Sequence, residues 1–312
     1  MPVTNSSDAL ADALTSISER WFNKKMSDNI STSNALLMRC KKETLDGGTD
    51  IRVPLHYAYI TGSQWYAGDQ TLNTSYNEKK IVAIFNAKQL DVPVVIVEAD
   101  RLKNGGAAKI LDHLKTEIEI AEKTGKNKFG TGMYSNGTTD TLSIAGLRHL
   151  VSASNTVGGI SQSTYSWWAA QVDSTTTNFT LGAAQTLYES CMEDDDKPDL
   201  ITSYPGAFNR FWGLLQPQQR YQNSDLGKAG FENLRFNQAD FVVDSYCPSG
   251  YLYMVNTKHV ILKSYSERNF PGKMEPFQKP VNQDARVAHF LWMGALVSDE
   301  NRKLGVQSAL TD

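Results

Sequence analysis

Cysteine is scarce in these 312 residues: Cys40, Cys191 and Cys247 are odd in number and far apart in the chain. That spacing fits neither a disulfide framework nor a C-x-x-C metal or redox pair, and it points to a reducing compartment. Long apolar runs are missing too. The longest, Phe290 to Val297, falls far short of the roughly 20 residues a membrane helix needs, and no basic segment leads from Met1 into an apolar stretch. The expectation is a soluble, unexported protein that touches no membrane. The Asn-x-Ser/Thr triplets at Asn5, Asn29, Asn73, Asn136 and Asn178 then carry no weight. Nor is there an excess of one charge. With 31 basic and 34 acidic residues the formal charge is −3, which excludes the global basic field that drives strong, non-specific nucleic-acid binding.

Signatures of chemistry are equally sparse. No G-x-x-x-x-G-K-[ST] segment is present to cradle phosphates. Gly130-Thr131-Gly132 follows a helix instead of a strand and lacks the third glycine of a dinucleotide fingerprint. Gly159-Ile160-Ser161-Gln162-Ser163 misses the last glycine of a nucleophile elbow, so it reads as a Ser/Thr-rich loop. His56, His113, His149, His259 and His289 are scattered, none at metal-ligand spacing from another ligand type, and each reads as structural, with His113 on the polar flank of a helix. The acidic run Glu193 to Asp196 is followed at once by Lys197-Pro198 and reads as a solvated charged loop, not a cation cage. Lys24-Lys25, Lys41-Lys42 and Lys79-Lys80 lack the interleaved aromatics of a single-strand platform and read as surface charge. No cofactor, metal or catalytic residue is expected.

What is present is pattern. Of the first 34 residues 17 are Ser, Thr, Asn or Asp, yet Leu10, Leu14, Ile17, Trp21 and Phe22 recur at helical spacing. This reads as an arm with one amphipathic helix, whose apolar stripe needs the rest of the chain or another subunit to bury it. After Gly47-Gly48, the residues Ile51, Val53, Leu55, Tyr57 and Tyr59 alternate with Arg52, His56 and Ala58, a strand with one apolar face. A polar tip containing Trp65-Tyr66 leads back to an apolar strand, Ile81 to Phe85, and closes a long hairpin. An exposed Trp-Tyr tip favours a neighbouring surface as its resting place, with a hairpin folded onto its own domain as the alternative.

A buried strand, Val92 to Val97, precedes the strongest helix, which carries Ala107, Ile110, Leu111, Leu114, Ile118 and Ala121 on one face and is expected to stop at Gly125. Such a single-faced helix should lie across a sheet. From Asp140 the texture becomes that of a compact α+β sub-domain. It contains the Trp167-Trp168 pair, a helix through Leu181, Ala184, Leu187, Tyr188 and Cys191, and a strand from Asp199 to Thr202. A Pro205-led helix follows, then strands Phe241 to Tyr246 and Tyr251 to Asn256 joined by a Cys247-to-Gly250 turn, and a third strand from His259 to Lys263. A Pro-rich linker, Phe270 to Pro280, leads to a last strand, Phe290 to Val297, which should return to the first sheet.

This order resembles the major capsid proteins of tailed bacteriophages, the Hong Kong 97 type of α+β fold. The stretches that carry the resemblance are Gly47 to Tyr59, Ile144-Ala145-Gly146-Leu147 with Gly158-Gly159-Ile160 and Trp167-Trp168, and Pro198-Asp199-Leu200-Ile201. They continue with Val243-Asp244-Ser245, Pro248-Ser249-Gly250, Tyr253, Gly294-Ala295-Leu296-Val297 and Asn301-Arg302-Lys303-Leu304-Gly305. The resemblance implies an N-terminal arm over 1–46, an extended E-loop hairpin over 47–86, a peripheral domain from 87–141 and 266–300 with a long spine helix, and an axial domain from 142–265 and 301–312. It implies subunit contacts through Trp21, Phe22, Ile51, Val53, Leu55, Trp65 and Tyr66. The partners it implies are further copies of the chain in hexamers and pentamers, a separate scaffolding protein, a portal, a decoration protein, and packaged double-stranded DNA held weakly. The implied location is the virion, assembled in the host cytoplasm. No cross-linking lysine and asparagine pair is matched. An encapsulin-like nanocompartment shell and, more remotely, an α/β enzyme with an unrecognised site remain as alternatives.

Overall fold

The computed structural model describes residues 34–99, 107–137, 141–219, 234–269 and 276–311. The arm helix with Trp21 and Phe22 lies outside them. The described chain opens with a short helix, α1 (Ala35–Arg39), capped by Asn34, whose side chain accepts from the Leu37 amide at 3.0 Å. Two sheets follow. The first has four strands in the order β1 (Lys41–Leu45), β12 (Val260–Tyr265), β13 (Ala285–Ser298) and β4 (Lys88–Val97). The second has six, in the order β7 (Gln171–Asp173), β14 (Gly305–Gln307), β11 (Leu252–Val255), β8 (Leu200–Ser203), β10 (Ala239–Val243) and β9 (Leu234–Phe236).

The long helix α2 (Ala107–Met133) packs on β4 and runs well past the expected stop at Gly125. Leu114, Ile118, Ala121, Gly125, Phe129 and Met133 are all buried at spacings of three and four, so one stripe continues through the glycine. A mid-helix glycine costs about 1 kcal/mol relative to alanine. Burial of Phe129, edge-on to Trp292 with ring centroids 5.0 Å apart, outweighs it. The glycine pair at 130 and 132 is helical as well. A β-carbon on Gly130 would stand 2.6 Å from the Tyr246 ring, so glycine there admits a close crossing. The side chain of His113 is outside the described set.

Three expectations about strands are corrected. The pair expected on either side of the Cys247-to-Gly250 turn, β10 and β11, are not neighbours: β8 lies between them, parallel to β10 and antiparallel to β11. The strand after them, β12, joins the four-stranded sheet beside β13 and not the sub-domain sheet. The last strand is also longer than its apolar run. From Ala285 to Gly294 it pairs with β4, and from Gly294 to Ser298 with β12. From Ala288 its first half alternates, with Ala288, Phe290 and Trp292 buried and His289, Leu291 and Met293 half-exposed, so hydrophobicity alone understates it.

The six-stranded sheet is covered by α4 (Leu181–Ser190), capped by Thr180, and α5 (Pro205–Gln219). Between helices and sheet sits an aromatic core in which Phe211 and Phe241 stack at 4.6 Å and Phe179 meets both edge-on. Between α2 and β7 in the chain come α3 (Leu147–Leu150) and the small hairpin of β5 (Thr156–Val157) and β6 (Ile160–Ser161). This hairpin occupies the segment that imitates a nucleophile elbow. Gly158 and Gly159, at φ of 60° and 81°, form its two-residue turn.

Candidate assembly surfaces

Strands β2 (Ile51–His56) and β3 (Lys80–Phe85) pair antiparallel from Ile51 beside Phe85 to His56 beside Lys80, the base of the long hairpin. Strict alternation sends Ile51, Val53 and Leu55 inward, at 2%, 6% and 4% exposure, together with Ala83 and Phe85. This corrects the expectation that these three contact other subunits: their side chains are committed to the chain's own core. Gly158 abuts the base, its carbonyl accepting from the Ile84 amide at 2.9 Å. A β-carbon there would meet Ala83 at 2.7 Å.

Beyond His56 the strand face dissolves. Tyr57 is half-buried and stacks on Trp167 at 5.3 Å, whereas Tyr59, expected on the same apolar face, is exposed. The segment between the strands is tied across by its own side chains. The Asn77 amide donates to the Tyr59 carbonyl at 2.9 Å and the Gln64 amide to the Thr71 carbonyl at 3.3 Å. At the far end Trp65 is 101% exposed and Tyr66 64%, with Tyr59, Leu72 and Tyr76 also in solvent. So many large apolar side chains along one projection exceed what an isolated surface normally shows, which makes it a candidate contact surface. The outward face of β2 and β3 adds Val82 and Ile84.

Where the hairpin joins the body there is a cleft of about 460 Å³, lined by the aromatic Tyr57, Tyr59 and Trp167 and by charged residues of both signs, among them Glu193, Asp299, Arg302 and Lys303. Next to it the acidic run does more than meet solvent. Asp196 accepts from Lys303 at 3.0 Å and Lys258 at 3.2 Å, and lies 3.4 Å from His259. His259 in turn holds Asp299 at 2.8 Å. The lysine hydrogen bonds, Lys303 first, hold the Asp196 carboxyl far below its ordinary range, and the Asp299 hydrogen bond raises His259. These charges sit at element ends distant in sequence. Nothing in their local spacing announces the cluster, although every member flanks a turn or a strand end. Elsewhere Cys40, Cys191 and Cys247 are buried and unpaired, and burial pushes the first two thiols up to about 11 and about 12. Among the described residues no three His, Cys, Asp or Glu side chains gather as a metal site, and no helix is long and apolar enough to cross a membrane.

No protein-family profile matches the chain, and no curated protein matches it in sequence. Solved structures do. A subunit of the cyanophage A-1(L) capsid superposes with a TM-score of 0.67 at 15% identity, covering 91% of this chain and 93% of that one. The fold is the Hong Kong 97 capsid fold. The capsid of a native GTA particle is similar at a TM-score of 0.61 and 11% identity, over 88% of this chain and 89% of that one. So is the SrpI encapsulin complex from Synechococcus elongatus PCC 7942, at 0.55 and 12% over 89% of both chains. The capsid fold is shared by shells of both kinds.

Proposed function

We propose that this chain is a major capsid protein that self-assembles into the icosahedral shell enclosing phage genomic DNA, located in the virion, and that it is not an enzyme. The observation that carries this reading is the superposition on a capsid subunit over nine-tenths of both chains. The exposed Trp65-Tyr66 tip supports it, because a projection of that kind suits repeated contact with further copies. Many such contacts, each weak, stabilise a closed particle through multivalency. On this reading 1–46 is the arm and 47–86 the E-loop. The peripheral domain takes 87–141 and 266–300 together with β12, and the axial domain takes the rest of 142–265 with 301–312. Trp21, Phe22, Trp65 and Tyr66 make subunit contacts in hexamers and pentamers. A separate scaffolding protein, a portal and a decoration protein complete the assembly, and DNA is held weakly.

An encapsulin-like nanocompartment is the second reading, supported by the likeness to the SrpI shell. Negative-stain electron microscopy and sedimentation of the protein, expressed with and without its neighbouring genes, test both. Closed shells or capsomer rings are expected, holding DNA for a virus and a cargo enzyme for a nanocompartment. A monodisperse monomer or dimer under every condition would overturn the shell reading.

A further inference from the structure

Within the charge cluster beside the cleft, one side chain has a carboxylate at each of its ring nitrogens. His259 Nδ1 lies 2.8 Å from Asp299, and Nε2 lies 3.4 Å from Asp196 and 3.8 Å from Glu300. A neutral imidazole carries a single N–H and can donate on one side only, whereas the imidazolium donates from both nitrogens. The arrangement is complete only when the ring is charged. Three ammonium groups surround it. Lys303 bonds both Asp196 and Glu300, Lys258 bonds Asp196 at 3.2 Å, and Lys41 of β1 is within electrostatic reach of Asp299. The Asp299 hydrogen bond raises His259 above its ordinary 6.5, against burial and the Lys303 charge, which lower it.

Three chain segments meet at this ring. His259 immediately precedes β12 of the four-stranded sheet. Asp299 and Glu300 stand in the link that leads from β13 in that sheet to β14 in the six-stranded one. Asp196 ends a tight turn over 193–196, in which the Glu193 and Asp196 amides donate to each other's carbonyls at 3.1 and 3.0 Å, just ahead of β8. Turn and link both line the cleft at the root of the hairpin, the turn through Glu193 and Asp194 and the link through Asp299 and Glu300. The imidazolium bridges them, with Asp196 on one nitrogen and Asp299 on the other. Lys303 makes a second tie between the same two segments, so loss of the ring's charge weakens the junction without severing it.

We propose that His259 is a pH switch on this cleft: as the imidazolium it ties the 193–196 turn to the 299–303 link, and on losing its proton it releases the turn, with the part of the cleft wall that the turn carries. The tie is full below 6.5 and is lost as pH rises through the higher folded value. The switch stands on the geometry of the cluster and does not depend on the chain forming a shell.

The test is hydrogen exchange of the full-length protein, read by mass spectrometry at about pH 6 and about pH 9 and corrected for the intrinsic pH dependence of exchange. The bonded amides of Glu193 and Asp196 report on the turn, and residues 252–255 of β11 serve as the internal reference. Protection of the turn relative to β11 is expected to fall about tenfold at the higher pH, the loss of one charge-assisted hydrogen bond. His259→Lys keeps a cation and should hold the turn at both pH values. His259→Gln should leave it equally exposed at both, each variant being checked for its fold by circular dichroism. A wild-type turn whose protection does not change with pH, or one that changes as much in His259→Gln, would overturn the proposal. The wild-type comparison alone decides it where a substitution impairs folding.

Discussion

Tyr57 and Trp167 stack nearly parallel, their ring centroids 5.3 Å apart and their planes 25° from one another. The first sits where the hairpin leaves its paired base, the second between the β5–β6 hairpin and the six-stranded sheet. The stack therefore fixes the direction in which the whole projection points. Distal to it, hydrogen bonds from Gln64 and Asn77 tie the projection across.

Removing that stack should free the root without dismantling the core. An aromatic pair is worth about 0.5–1.5 kcal/mol beyond its buried area. Tyr57→Ala is expected to lower the melting temperature by a few degrees and to speed hydrogen exchange in residues 57–79 far more than in β2 and β3. Unchanged exchange there would show that the stack does not set the hairpin's direction.

Trp65 and Leu55 should behave oppositely although they stand ten positions apart on one hairpin. Trp65 is fully exposed, so Trp65→Ala should leave the unfolding free energy of unassembled subunits within about 0.5 kcal/mol of wild type. Its particle yield, read by sedimentation, should fall. A variant that unfolds as readily as it fails to assemble would place Trp65 in a core.

Leu55 is 4% exposed and belongs to the main core. Leu55→Ala should cost about 2–5 kcal/mol by lost burial and the cavity it leaves. Denaturant unfolding of the subunit reads this directly, and a change below about 1 kcal/mol would mean that β2 is not packed as described.

Gly130 is occupied on one side by the Tyr246 ring. Alanine normally strengthens a helix, but here the added methyl must displace the ring, and overpacking costs about 1–3 kcal/mol. Gly130→Ala should destabilise, and the double variant with Tyr246→Ala should recover part of the loss. A stabilised single variant would disprove the close crossing.

The Asp196–His259 cluster predicts a stability window in pH. The folded His259 is raised above its ordinary 6.5, so its contribution is full below that value and is lost as pH rises through the folded one. Asp196 is lowered from 3.8, so its contribution is full above that value and is lost as pH falls through the folded one. Melting temperature should thus be flattest between these limits. His259→Gln should remove the alkaline decline and Asp196→Asn the acid one; slopes unchanged in both variants would separate the cluster from stability.

Much of the architecture was legible because the patterns are strong. The alternation from Ile51 to Leu55, the stripe on α2 and the Pro205 start of α5 each answer to a single local period. What stayed hidden depends on distant partners. β1 is Lys-Lys-Glu-Thr-Leu, a segment with no strand signal of its own, and it is a strand because the edge of β12 is there to pair with it. The extra turns of α2 beyond Gly125 exist because Trp292, far along the chain, receives Phe129. Tip exposure at Trp65 was readable from composition. The charge cluster was not, since it gathers residues from several element ends.

The segment from Arg39 to Leu45 is fastened twice. Arg39 pairs with Asp240 of the six-stranded sheet, and directly after it β1 runs parallel along β12, from Lys41 beside Ile261 to Leu45 beside Tyr265, in the four-stranded one. A pull entering at Asn34 along the strand is resisted by the five residues of β1 in shear, all of which must slip together. Both sheets feel it before the hairpin does. Mechanical tension arriving at this point is therefore distributed through the whole subunit, which makes Asn34 to Leu45 a strain coupling between the body and whatever the preceding residues hold.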